Sequence, residues 1–420
     1  MRNECIDVEK AVSELVVLDD PAKKKQCAES IFASALRQGI FPSSIHELYM
    51  ARGRGEFGGF TVPAINLRSL TYDLARSIFR VAKKHDSGAF IFEIARSEIG
   101  YTNQPPAEYS AMVLAAAIEE GYSGPVFIQG DHFQVNAAKY CEDPEREVGA
   151  LQSLIAIAVN SGFYNIDIDS STLVDLSERS LERQQFRNYE VCAKLTQFIR
   201  EIEPKGITIS VGGEIGEIGH QNSTPEDLTA YMEGLKKKLP GSLAGISKIS
   251  VQTGTTHGGI VLPDGSIAKV SLDFETLRTL SEIARKQYGL AGAVQHGAST
   301  LPLEAFNKFP ECETAEVHLA TEFQNMVYES KQFPADLKRR MYAWLKVNAA
   351  SEAKKDETDE QFLYKTRKKA LGPFKKEIMG LPQETRDAIA AEVEGRFDYL
   401  FRQLGAVNRN NLVKKYIRAT

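Results

Sequence analysis

Residues 125–171, PVFIQGDHFQVNAAKYCEDPEREVGALQSLIAIAVNSGFYNIDIDSS, decide the fold. The stretch opens on an apolar run that stops at Gly130, Asp131 and His132. It closes on a second run in which isoleucines alternate with acidic residues as far as Asp169. Between them lies a helical pattern with its own start signals, Asp143 as N-cap and Pro144 at the first helical position. Strand, helix, strand is a βαβ unit, with parallel strands and a right-handed crossover.

Working outward, β-type runs recur at intervals of very roughly 30–40 residues, the scale of one βα unit. They are FTVPAIN from Phe60, GAFIFEIA from Gly88, PVFIQGDH from Pro125 and YNIDIDSS from Tyr164. ITISVGGEIG from Ile207, ISKISVQTG from Ile246, GAVQHGAS from Gly292 and AEVHLATE from Ala315 follow. Helical patterns intervene, among them TPEDLTAYMEGLKKKL with Thr224 and Pro225 at its start, and LDFETLRTLSEIARKQYG closed by Gly289. The α/β alternation predicts a parallel sheet. Eight units predict its closure into a (β/α)8 TIM barrel, with an open doubly wound sheet as the competing architecture. The barrel is expected over residues 56–345. A helical N-terminal extension is expected over 1–55, and a charged helical segment over 346–420, packing on the barrel or on a neighbouring subunit.

Composition sets limits. With 43% hydrophobic and 25% charged residues among 420, the chain reads as an ordinary globular protein with a large core. A net charge of -5 gives no basic field, so nucleic acid is not an expected partner. No apolar stretch is long enough to span a bilayer, and the N-terminus lacks a signal-peptide pattern. Five widely spaced cysteines without a CxxC pair fit a reducing compartment, so a cytoplasmic location is expected.

In a barrel of this kind the chemistry sits at the C-terminal ends of the strands. Three of the seven histidines fall there: His132, His257 and His296. A single histidine at a strand end is ordinarily a hydrogen-bonding surface residue. Three in register, each near glycine, predict a site for zinc, cobalt or iron, because neutral imidazoles suit these borderline ions. Gly258 and Gly297 would let the backbone approach a bound phosphate or metal. Asp131 reads either as a general acid/base beside the ion or as a loop carboxylate, and reaching the site together with His132 requires the strand end to twist. Glu214 reads as a further ligand or a group that holds one in place.

The ordered series VPAIN, GDH, IDSS, EIGEIG with TPEDL, THGG with LDF, and HGAS resembles the class II, metal-dependent fructose- and tagatose-bisphosphate aldolases, from about Phe60 to Glu322. LGPFKKEI, nearer the C-terminus, resembles the family's closing helix. The resemblance implies metal ligands at His132, His257 and His296, a metal-associated carboxylate at Glu214 and a catalytic acid at Asp131. It implies substrate or phosphate contacts at Asn66, Asp169, Gly258, Gly297, Ser299, Thr321 and His318, with Arg367 or Lys368 facing a second phosphate. It further implies one divalent ion per subunit, zinc by preference, a sugar-phosphate substrate, and a homodimer or homotetramer.

The sequence departs from the family in two places. Where the family reads NIDTD on the eighth strand, this chain has His318-Leu319-Ala320-Thr321-Glu322. The loop after EIG is short, GHQNST, and lacks the family's carboxylate. The segment FEIARSEIGYTNQPPAEY looks more like the non-catalytic subunits of tagatose-bisphosphate aldolase. The expected activity is aldol cleavage or formation in a ketose phosphate through a metal-stabilised enediolate. An epimerase or isomerase of a keto-sugar or sugar acid, and a non-catalytic partner subunit, are the alternatives. Glu217, His220 and His318 are the candidates for the group that protonates the enediolate.

Overall fold

The structure is a computed structural model and describes residues 6–216, 221–254, 262 and 272–419. Nine strands are found among them: β1 Ile40–Ser43, β2 Val62–Asn66, β3 Ile91–Ala95, β4 Gly124–Gln134, β5 Asn165–Asp169, β6 Ser210–Gly216, β7 Lys248–Val251, β8 Ala293–Gln295 and β9 Glu316–Leu319. Strands β2 to β9 are the eight runs read from the sequence. Each pairs in parallel with the next, and β9 pairs with β2, so the sheet closes into a barrel with helices between strands and at both ends of the chain. Closure settles the choice against an open sheet. The helix starts also behave as their chemistry dictates. Asp143 accepts from the Arg146 amide at 3.1 Å, Thr224 and Asp227 form a reciprocal capping box, and Gly289 ends its helix at a φ of +68°.

Strand β1 was not foreseen. It pairs with the first residues of β4, Ile40 opposite Gly124, while β5 pairs with the later part of β4. Asn165 ties the three together, accepting from the Ile45 amide at 2.9 Å and donating to the Ser43 and Ile128 carbonyls. The helix His46–Gly53 that follows plugs the bottom of the barrel. Ile45, Leu48 and Tyr49 pack there against Val62, Ala64, Ile91 and Phe127 as a small core separate from the main one between barrel and helices. Full burial of such side chains stabilises by about 1.5–3 kcal/mol each.

At the chain's far end, helix Gln383–Gln403 lies against helix Thr71–Lys84 of the barrel's own outer layer. Arg386 pairs there with the buried Asp73 at 3.0 Å, and Arg80 with Glu394 at 2.5 Å. No described helix is long and apolar enough to cross a membrane.

Above the apolar plug the barrel interior turns polar. Lys248, only 1% exposed, donates to Gln129 at 2.7 Å and pairs with Asp167 at 2.9 Å and Glu316 at 2.6 Å. The Gln129 amide donates onward to Glu316 and Glu93, and Tyr49 donates to Glu316 from below. These buried charges are the floor on which the site stands.

Candidate metal centre and anion cavity

The end of β4 departs from regular strand geometry. Gln129 and Gly130 pair with Asn165 and Ile166, but Phe133 pairs with Ile168, so β4 carries one extra residue over the span. This is a β-bulge, and His132 takes it up with a φ of +37°, a conformation L-residues rarely adopt. Such strain costs on the order of 1–3 kcal/mol and persists where the surroundings hold it. Gly130 makes it possible, because a Cβ there would lie 2.5 Å from the Phe133 ring. The bulge turns Asp131 and His132, neighbours that would otherwise face opposite sides of the sheet, into one cavity.

That cavity, about 780 Å³, opens at the C-terminal end of the barrel. His296 and His318 share its lining with Asp131 and His132. Ring centroids lie 4.1 Å apart for His132 and His296 and 4.0 Å apart for His296 and His318. Asp131 Oδ1 lies 3.3 Å from His296 Nε2, 3.1 Å from His318 Nδ1 and 4.0 Å from His132 Nε2. His132 Nδ1 faces the other way, 3.0 Å from Asp169 Oδ2 and 3.2 Å from Glu214 Oε2. Carboxylates at Nδ1 are the usual way an imidazole that ligates a metal through Nε2 is oriented.

The electrostatics favour a cation at this place. Burial opposes charge on His132, yet the carboxylates of Asp131, Glu214 and Asp169 outweigh it and raise its pKa well above the usual imidazole range. Burial likewise opposes ionisation of Asp169, but His132, Ser171 and Gln134 hold its pKa down to about 2. Burial and Asp169 push Glu214 up to about 7. Burial and the neighbouring imidazoles of His318 and His132 drive the His296 pKa well below normal, which favours the neutral form in which an imidazole can ligate a metal. Asp131, His132 and His296 offer one donor each within 4.8 Å of one another, and so do His132, Asp169 and Glu214. Imidazole and carboxylate donors, an excess of buried carboxylates and open access from the cavity together suit a divalent ion.

The other expected residues fall as follows. His257 and Gly258, with Glu217 and His220, lie outside the described residues. Glu214 and Asp169 stand behind His132, beyond the residues that line the cavity. Gly297, Ser299 and Thr321 do line it, Thr321 opening the helix Thr321–Glu329, although the Ser299 hydroxyl is taken up by the Ala320 amide at 2.9 Å. Asn66 is buried apart from the cavity and donates to Glu98 at 2.5 Å. His318 is 4% exposed and surrounded by carboxylates, with Glu93 at 2.9 Å and Glu316 at 2.7 Å.

Of the cationic wall of the cavity, the sequence pointed only to Lys368 and missed the rest. Arg68, paired with Glu98 at 2.7 Å, approaches Thr321 from β2's loop, and Arg96, Lys139, Lys365 and Lys368 complete it. Burial first, and then the Arg68 guanidinium, lower the Lys368 pKa. Arg367 does not join them. It is buried between the Tyr328 and Tyr364 rings and bound to Asn325 and Glu329.

Residues 54–397 match the family described as fructose-bisphosphate aldolase class-II, and the chain belongs to that family. Among solved structures it is similar to the fructuronate-tagaturonate epimerase of Cohnella laeviribosi, with a TM-score of 0.62 and 13% identity over 94% of this chain and 90% of that one. A probable tagatose 6 phosphate kinase of Sinorhizobium meliloti matches with a TM-score of 0.56 and 15% identity, over 85% of this chain and 99% of that one. The fructose-bisphosphate aldolase of Campylobacter jejuni matches at 0.51 and 19%, over 89% and 97%. At these identities the likeness is one of fold. Among curated proteins none matches the sequence.

Proposed function

We propose that the chain is a divalent-metal lyase that makes or breaks a carbon–carbon bond in a phosphorylated ketose. The observation that carries this reading is the bulge at Gly130–His132. It puts a carboxylate and an imidazole side by side on the floor of a cavity whose wall is cationic. His132 and His296 would hold the ion, together with His257. A divalent ion bound there would supply Lewis acidity toward the ketose carbonyl. Asp131 would move the proton on the hydroxyl of the bond that breaks, since a general base must lie within hydrogen-bond reach of that proton and Asp131 borders the cavity beside the ligands. Asp169 and Glu214 would hold His132 in place from behind. Thr321 at its helix N-terminus, with Arg68 and Lys368, would bind phosphate oxygens.

A second reading is epimerisation of a keto-sugar or sugar acid. It needs the same proton chemistry with the carbon skeleton kept intact. His318, a titratable group where the family carries Asn, favours it.

Turnover of ketose phosphates before and after chelation tests the metal and phosphate parts together. Activity should vanish with chelator, return with Zn2+ or Mn2+, and exceed by at least tenfold that on the unphosphorylated ketose. Equal turnover of both ketoses, or turnover unaffected by chelation, would overturn the reading.

A further inference from the structure

The carboxylates around His318 are more than one imidazole needs. Four of them lie close to its ring: Glu93, Asp131, Asp167 and Glu316. The deeper pair is already neutralised, because the Lys248 ammonium sits between Asp167 and Glu316. Glu316 also accepts from Gln129 and Tyr49. The upper pair, Glu93 and Asp131, has no such ammonium among the described residues. His318 Nδ1 lies 2.9 Å from Glu93 Oε2 and 3.1 Å from Asp131 Oδ1, yet it makes a directed hydrogen bond to neither, and Glu93 Oε1 is buried without a partner among the described residues. His318 is 4% exposed and Glu93 fully buried, so no bulk water compensates them.

We propose that Glu93, Asp131 and His318 form a second divalent-cation site, sharing Asp131 with the centre at His132 and His296. The three residues each present a donor within 4.8 Å of the others. An ion about 2.0–2.2 Å from nitrogen and carboxylate ligands holds neighbouring donors roughly 2.9–3.5 Å apart. The distances from His318 Nδ1 fall in that range. A ring nitrogen that points between two oxygens, satisfying neither, is the arrangement a cation between all three completes. All three residues border the cavity, which gives an ion a route in and leaves coordination positions open to water. The mixed nitrogen and oxygen donors suit Zn2+, Mn2+, Co2+ or Fe2+. Asp131 meets His132, His296 and His318 through Oδ1, so the one oxygen would link the two centres. The site rests on the metal part of the proposed function and is independent of which sugar reaction follows.

Metal content of the full-length protein tests it. After chelator treatment and reloading with Zn2+ or Mn2+, elemental analysis should give two ions per chain. Glu93→Gln, nearly isosteric, should bind one, and His132→Ala should lose the other. Paramagnetic resonance of the Mn2+-loaded protein supplies a readout that needs no variant: an exchange-coupled pair signal is expected. A single ion per chain, retained in Glu93→Gln and showing only an isolated Mn2+ spectrum, overturns the second site while leaving the first and its chemistry standing. No bound ion at all overturns both.

Discussion

Asp131 and His132 are consecutive in the chain and yet border the same cavity, because the extra residue in β4 and the +37° φ of His132 rotate one of them across the sheet. The arrangement resolves a conflict visible in the sequence, where strand alternation sets neighbours on opposite faces. It also divides the work. Asp131 faces the imidazoles of His296 and His318, and His132 is held from behind by Asp169 and Glu214.

Asp131→Asn should abolish turnover, by about 10²–10⁴-fold, while an ion remains bound at His132 and His296. Asn keeps the shape but cannot exchange a proton at working pH. His132→Ala should lose that ion and activity together. Turnover of Asp131→Asn at saturating metal is the measurement, and full rescue by added metal would reduce Asp131 to an orienting group.

Gly130→Ala should disturb the bulge. The added methyl meets the buried Phe133 ring, and overpacking of this kind costs about 1–3 kcal/mol. A lower melting temperature together with weaker metal binding is expected from calorimetry. Unchanged metal affinity would show that the bulge does not depend on glycine.

Lys248→Met should destabilise the fold by about 3–5 kcal/mol, because Asp167 and Glu316 would be left buried without their cation. Glu316→Gln added to it should restore part of the loss. Urea denaturation of the single and double variants checks both, and a single variant as stable as the parent contradicts the account.

Lys368→Ala should raise KM for a phosphorylated ketose about tenfold with little change in kcat, since a cation on the cavity wall contributes binding more than chemistry. Arg367→Ala should act differently, lowering stability through lost packing between Tyr328 and Tyr364. Steady-state kinetics beside thermal melts separates the two.

The barrel was legible because strands buried on both faces read as short apolar runs at regular spacing, and the helices between them carry caps such as Asp143 and Thr224. Strand β1 was not, since IFPS is too short and contains a proline. Asp131, His132 and His296 were legible from their place at strand ends. The roles around them were less so. Nothing local shows that Glu214 and Asp169 stand behind His132, or that Asn66 turns to Glu98. The interior network did leave a trace: Lys248 and Glu316 are charges inside apolar strands, a placement that needs a buried partner. Of the cationic wall only Lys368 left a trace, because Arg68, Arg96 and Lys139 come from separate loops and helices that only the closed fold brings together.

Whether this site breaks a carbon–carbon bond is decided by the fate of the carbon skeleton. A 13C-labelled ketose bisphosphate incubated in D2O with the metal-loaded protein, followed by NMR, reports cleavage and proton exchange together. Two three-carbon phosphates are expected, the ketose half carrying deuterium next to its carbonyl. An intact six-carbon chain with deuterium at an inverted centre would contradict it and assign the site to epimerisation.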